Sequence, residues 1–451
     1  ADLFANTLSV GGGTVNLNTA SGATTTSDAN VDFTAAGTLN LNQGLIGSVD
    51  FTTDATVNLI NASVVLAGTA PDNTLSGDRA ISGTFTTDVD TSADGAGRGV
   101  LNVDSSGTLS PTGGTGTSFN TAIHKISALN LNTGAASRDY STADDSANYL
   151  TQLNGDLFAD AIVLNDGAEL QVADGVDITA DITSAVNTAL APVVDDLATE
   201  SVDESAFGDS YTDNVLDLQG NHTVTGSVGS AANPLTRIDA GVGDGTTNSL
   251  STFAGGVVYA DTLDYNEGQG EVRFNGDGTA ANGGFIGTVV LTAASGATAS
   301  DAVFALGDDV NLYTQNLADD DTNAAKRTTF EGAGLATLRF YGTSTVFGVL
   351  GSADATATQT FLDIEAGADG ETVTFKNDVY VGGTTLEVTG TGIVNLLGDL
   401  NGPIEFQADG SVNLADGRVI TGAVTTDTDD QGVLNLVGGH STQATIGTSA
   451  L

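Results

Sequence analysis

The residues with the most capacity for chemistry are acidic. Asp319, Asp320, Asp321 and Asn323 place four hard oxygen donors within five residues. Asp427, Asp429 and Asp430 form a second cluster, and Asp88, Asp90 and Asp94 a third. Ca2+ takes six to eight such oxygens at flexible geometry, and loop carbonyls can complete its shell. The clusters match neither an EF-hand loop nor the glycine-rich nonapeptide of Ca2+-binding β-rolls. Each alone reads as a solvated acidic loop. Across the three, a Ca2+ site is expected, with these residues as its candidate ligands.

Other chemistry is poorly provided for. His124, His222 and His440 stand in no metal-binding spacing. No G-x-S-x-G elbow and no P-loop occurs. The glycine-rich stretches 11–13 and 241–245 lie outside any strand–helix–strand setting, so they do not cradle phosphate. With no Cys, the chain has no disulfides, thiolate chemistry or Cys-held metal. Paired carboxylates could cleave an acidic polysaccharide, but only 11 Lys and Arg are available to bind one. The expectation is no enzyme, no catalytic residue and no bound organic cofactor.

The elements that hold these residues announce themselves by repetition. An apolar–Asn–apolar tripeptide is centred on Asn16, Asn40, Asn58, Asn102, Asn130, Asn311, Asn395, Asn413 and Asn435, with Leu216-Asp217-Leu218 as a variant. A second pattern, apolar–x–Gly–x–apolar, reads LIGSVDFTTD at 45–54, AISGTFTTDVD at 80–90 and VITGAVTTDTD at 419–429. Side chains alternate along a strand, so the two apolar residues of each tripeptide share one face and Asn takes the other. Gly, Asn and Asp supply the corners. One such repeat cannot bury its own apolar face, whereas a stack can. An antiparallel sandwich gives similar short strands. Recurrence of whole units favours an all-β, right-handed parallel β-helix, a solenoid of irregular rungs. Val412, Leu414, Leu434 and Leu436 are expected to face its core.

The regularity lapses between 134 and 213. Ala143, Ala147, Leu150, Leu153 and Leu157 follow helical spacing, as do Ile182, Val186, Leu190, Val193 and Leu197, with Pro192 interrupting the second run. Residues 161–181 read as strand, turn, strand. The expected organisation is N-terminal solenoid repeats over 1–133, a partly helical insertion or small subdomain over 134–213, and C-terminal solenoid repeats over 214–451.

Composition bounds the function. The 451 residues carry a net charge of −46, and 47 of the 57 acids are Asp. Such a surface repels nucleic-acid phosphate. The hydrophobic content of 40% can fill a core, which argues against disorder. No uninterrupted apolar run is long enough for a membrane-spanning helix. A chain without Met that opens Ala-Asp-Leu-Phe is expected to be either a product of cleavage or part of a longer chain, and the first reading places it outside the cell.

The runs VNLADGRVITGAVTTDTDDQGVLNLVGG and TVTGSVG resemble passenger regions of autotransporter proteins. In style they are similar to the rickettsial outer-membrane protein B type of surface antigen. The resemblance implies secretion, a β-helical fold and service as a surface coat or adhesin. It transfers no catalytic residue, and the membrane β-barrel of that family has no counterpart in this sequence. The leading expectation is a secreted structural subunit of a surface layer, sheath or filament, assembling head-to-tail through terminal strands with Ca2+ support. Its partners would be copies of itself and a cell-surface glycan or outer membrane. An adhesin is the alternative, and a polysaccharide-active enzyme the third.

Overall fold

Alternation of apolar and polar residues dominates the chain, and the computed structural model turns it into strands. It describes residues 4–18, 26–42, 44–46, 49–51, 53–59, 80–83, 85–87, 98–103, 107–111, 125–131, 149–165, 167–185, 214–241, 249–265, 270–276, 284–290, 302–314, 328–331, 336–351, 363–381, 385–428, 430–439, 441–442 and 446. Every regular element among them is a strand, and no helix there is long and apolar enough to cross a membrane. All strand pairs are parallel, joining segments separated along the chain, which makes long sheets consistent with a β-helix. The chain divides into two compact units, the first comprising 1–218 and 224–237 and the second 219–223 and 238–451.

In the first unit, one sheet runs through Thr14–Asn18, Thr38–Asn42, Thr56–Leu59, Val100–Val103, Ile126–Leu131, Leu157–Asn165 and Ile178–Ala185. Equivalent residues lie opposite one another: Val15 on Leu39, Asn16 on Asn40, Leu17 on Leu41. A companion sheet includes Gly44–Ile46, Ala80–Gly83, Gly107–Pro111, Tyr149–Leu153, Ala168–Val172 and Val215–Leu218. Leu39, Leu41, Val57, Leu101, Leu129 and Leu131 are buried, as are Phe33 and Phe51, whose rings stack 5.4 Å apart.

In the second unit, successive coils give one strand to each of three sheets: Leu386–Val388, Ile393–Leu396 and Leu400–Asn401, then Ile404–Phe406, Ser411–Leu414 and Val419–Ile420. The next coil supplies Val424–Thr426, Val433–Leu436 and Ser441–Thr442. Its core is a column of Leu386, Ile404 and Val424 facing Val394 and Val412, all buried.

Both units repeat one corner. An apolar–acid–apolar strand turns into the Asn-bearing strand, as in VDFTAAGTLNL from Val31, VDFTTDATVNL from Val49 and IEFQADGSVNL from Ile404. In two places a glycine with positive φ closes this corner on the ring of an earlier coil. Gly99 (φ 80°) meets Phe51 and Gly432 (φ 83°) meets Phe406, and an added Cβ would stand 2.3 Å from ring carbons at either site. Each is followed by Val-Leu-Asn.

No helix forms over the described part of 134–213. Leu150 and Leu153 lie in the strand Tyr149–Leu153, Leu157 in Leu157–Asn165 and Ile182 in Ile178–Ala185. The step of four from Leu153 to Leu157 needs no helix: both are buried, one at the end and one at the start of consecutive strands joined by residues 154–156, while Leu150 is only half-buried. Ala143, Ala147, Val186, Leu190, Pro192, Val193 and Leu197 lie outside the described residues.

Candidate functional site

Stacking identical repeats puts identical polar side chains in columns, and three kinds of column result. The first is an amide ladder. Asn40 donates to Asn16 (2.6 Å), Asn58 to Asn40 (2.7 Å), Asn102 to Asn58 (2.7 Å) and Asn130 to Asn102 (2.7 Å). The second unit repeats it: Asn395 donates to Thr374 (3.2 Å), Asn413 to Asn395 (2.8 Å) and Asn435 to Asn413 (2.8 Å). A carboxamide carries donor and acceptor together, so such a column satisfies itself at any length.

The second kind is built from Asp. Asp side chains, most of them at corners, accept backbone N–H groups of the following coil: Asp156 from Asp177, Asp181 from Ser227, Asp308 from Thr343, Asp369 from Thr391 and Asp416 from Gly439, at 2.8–3.0 Å. Asp378 accepts from Asp399, whose own carboxylate accepts from Val419. The backbone N–H of Thr391, followed by its hydroxyl, lowers the pKa of Asp369 below the ordinary 3.8.

The third column is ionic and lies in the second unit. Arg339 aligns with Glu365, Glu365 with Glu387 and Glu387 with Glu405. Arg339 forks onto Glu365 (Nε to Oε2 2.5 Å, Nη2 to Oε1 2.8 Å) and reaches Glu271 at 3.1 Å. Arg273 also pairs with Glu271 (2.6 Å) and lies 4.0 Å from the centroid of the Tyr341 ring. The Tyr341 hydroxyl donates to Glu271 at 3.0 Å. Burial raises the pKa of Glu387 above 4.5, with Asp363 and Glu365 adding to the effect; Gln407 and Thr385 donate to its oxygens. Two of the 11 cations in the chain meet here, and the network closes on itself.

Of the anticipated metal ligands, Asp427 and Asp430 are described and both are exposed; Asp430 turns the chain with φ 65°. Asp88, Asp90, Asp94, Asp319, Asp320, Asp321, Asn323 and Asp429 lie outside the described residues. Among the described residues no group of three or more His, Asp or Glu is placed to hold a metal ion.

The outermost coil of the second unit differs from those before it. Val412 and Leu414 are fully buried, but Leu434 is half-buried and Leu436 is 45% exposed. The expected inward burial of Leu434 and Leu436 is therefore incomplete. Among the described residues the strand Val433–Leu436 pairs with Ser411–Leu414 on one side and with no strand on the other, so its apolar face has described cover from one direction only. Val433 (50%), Val437 (60%) and Ile446 (40%) are also exposed. Four of the six exposed large apolar residues recorded for the described chain sit on this coil. This end is the candidate site.

The Asn tripeptides were legible from the sequence. The ionic column was not, because Glu271 and Glu365 reach Arg339 across 68 and 26 residues. The stacking of Glu387 on Glu405 had a signal: LEV and IEF recur with the same 18-residue step as Asn395 and Asn413. No family model, no curated protein and no solved structure matches the chain.

Proposed function

We propose that the chain is a right-handed parallel β-solenoid serving as a secreted structural subunit of an extracellular surface layer, sheath or filament, joined head-to-tail to copies of itself. The observation that carries this reading is the uncovered coil at 433–446, where apolar side chains concentrate at the open edge of a sheet. Open edges take up further strands, and monomeric repeat proteins cover theirs with polar caps. The parallel columns support the solenoid, and the self-satisfied polar networks suit a scaffold.

The proposal includes attachment to a cell-surface glycan or outer membrane, and Ca2+ bridging between the Asp-rich stretches at 88–94, 319–323 and 427–430. Subunits of net charge −46 repel one another, and divalent cations would relieve that repulsion. The purified protein is expected to sediment as large assemblies and to form regular sheets or fibres under the electron microscope, more readily with Ca2+ than with a chelator. Dispersed particles at every concentration, with or without Ca2+, would overturn the reading. Binding of such dispersed particles to a glycan array would favour the adhesin.

A further inference from the structure

We infer that a second copy of this chain docks face to face on the outer face of the six-stranded sheet in the second unit, giving assemblies a lateral contact besides the head-to-tail one. The inference rests on the reading of self-assembly above and adds a contact to it.

Charge sets this face apart. It is built on the strands Leu312–Tyr313, Ser344–Phe347, Thr372–Phe375, Ile393–Leu396, Ser411–Leu414 and Val433–Leu436. Residues 311–313, 343–347, 372–376, 393–397, 411–415 and 433–437 include no Asp or Glu, and Lys376 is their one charge. Acids resume at the corners, with Glu371 before one strand and Asp378, Asp399 and Asp416 after others. The long sheet of the same unit carries Glu271, Glu365, Glu387 and Glu405 instead. Two molecules of net charge −46 can therefore meet through this face without setting carboxylate against carboxylate.

The outward side chains form three columns. The central one is the amide ladder, in which Asn395, Asn413 and Asn435 each donate one N–H to the rung before. A carboxamide has a second N–H, and its oxygen a second lone pair, so an identical column opposite can be bonded from either side. Apolar residues flank it. Ile393 and Val433 lie in one column through Ser411. Leu397 and Val437 lie in the other, where their N–H groups continue the backbone ladder. Ile393, Val433 and Val437 are 39%, 50% and 60% exposed. A two-fold axis along the amide column would lay Asn413 on its own equivalent, Ile393 on Leu397 and Val433 on Val437. Such a contact is self-complementary. It also keeps both copies pointing the same way along the stack, so two filaments can grow side by side.

Area fixes the strength. Six strands about 4.8 Å apart, each offering five residues of about 3.3 Å, make a face of roughly 450 Å2. A pair would bury about 900 Å2, below the range of stable complexes. One pair alone is therefore weak, and the contact gains strength by repetition along a filament. A neutral glycan is the other occupant that an uncharged polar face could take. Tyr313 and Phe347 speak against it, because their rings stack on each other at 4.8 Å and 6°, so each spends on the other a ring face that a sugar would need.

The test places charges on the face. Ile393→Glu and Leu397→Lys are made in separate full-length chains. Sedimentation velocity at high protein concentration reads the pair, and electron microscopy reads the width of assemblies. The parent is expected to form a pair that dissociates on dilution, and assemblies wider than those of Ile393→Glu. Ile393→Glu alone and Leu397→Lys alone should each raise the dissociation constant of the pair about tenfold. An equimolar mixture of the two should recover pairing, because each new charge then faces its opposite across the contact. Ala231→Glu, at an exposed position of the first unit, should pair like the parent. Val437→Glu, at the most exposed apolar position of the face, repeats the test if circular dichroism shows that Ile393→Glu has lost the fold. Pairing of the Glu variants at the parent's strength overturns the contact, and so does an equal weakening by Ala231→Glu. Weakening without recovery in the mixture overturns the two-fold register. A parent whose assemblies are no wider than those of Ile393→Glu overturns the lateral contact while the assembly reading stands. Pairs that never lengthen keep this contact and overturn the head-to-tail one. A parent that stays monomeric and unassembled overturns both. Retention of the monomer on an immobilised neutral glycan, abolished by Ile393→Glu, would give the face to a glycan and overturn the pairing.

Discussion

The outer faces of the two units solve one problem with different chemistry. Parallel stacking in register places like on like about 4.8 Å apart. In the first unit the repeated residue is Asn, and the column from Asn16 to Asn130 bonds to itself without help. In the second unit the strands Asp363–Ala366, Leu386–Val388 and Ile404–Phe406 of that same sheet repeat Glu. Carboxylates only accept, so Glu365, Glu387 and Glu405 repel unless something intervenes. Arg339 intervenes at Glu365 and Gln407 donates at Glu387. Even so, Glu387 retains a raised pKa, first through burial and then through its acidic neighbours. An amide column can be lengthened by repetition alone, whereas a carboxylate column needs a cation or donor placed from elsewhere in the chain.

The largest expected effects are shared by the units and test whether they have the same core. Leu101→Asp and Leu414→Asp each bury an unpaired charge at a fully covered site, costing about 3–5 kcal/mol. Thermal unfolding measures the loss, and a parental melting temperature in either variant would remove that residue from the core. Next come the glycine corners. Gly99→Ala and Gly432→Ala each force a Cβ onto a phenylalanine ring at positive φ, for about 3 kcal/mol. Gly432 belongs to the outermost described coil, whose strand Val433–Leu436 has a described neighbour on one side only, so that coil can shift and its cost should be the smaller; the reverse order would mean that the outer coil is as tightly held as the inner ones.

The contrast between the columns appears at lower energies. Arg339→Met strands Glu365 on a face that is partly open to water, while Glu271 keeps Arg273 and Tyr341, and about 2 kcal/mol should be lost at low salt, less at high salt. Asn58→Leu breaks two neutral amide bonds and should cost about 1 kcal/mol with no salt dependence. Equal salt responses in denaturant titrations would erase the distinction drawn here. The smallest effect is in pH. Because the folded pKa of Glu387 lies above 4.5, the folded state takes up that proton first. Its contribution therefore favours folding increasingly as pH falls from the folded value towards 4.5, and changes little below. Asp369 acts oppositely: its lowered pKa supports folding above 3.8, and that support is lost as pH falls through the folded value. Comparing melting temperature against pH for the parent and Glu387→Gln isolates the first effect; identical curves would show that the acidic column does not strain the fold.

The alternation in Val-Asn-Leu determined strand, inward face and outward face without reference to anything distant, because side-chain direction along a strand is a local property. Glycine at the corners was equally legible. The same local reading erred at Leu153 and Leu157, where a corner between two strands imitates helical spacing and shows only when Leu153 is laid on Val172 and Leu157 on Ile178. The work of Asp outside the clusters was not legible either: Asp378 and Asp399 pin corners, each holding an N–H of the next coil about 20 residues away. Register is what the tertiary structure alone decided. Which tripeptide lies on which depends on the length of each coil, and coil length varies from 18 residues between Asn40 and Asn58 to 46 between Gln171 and Asp217. A strand fixes the direction of its own side chains, but only the closure of the intervening chain, driven by burial of the shared apolar face, fixes the neighbour they meet.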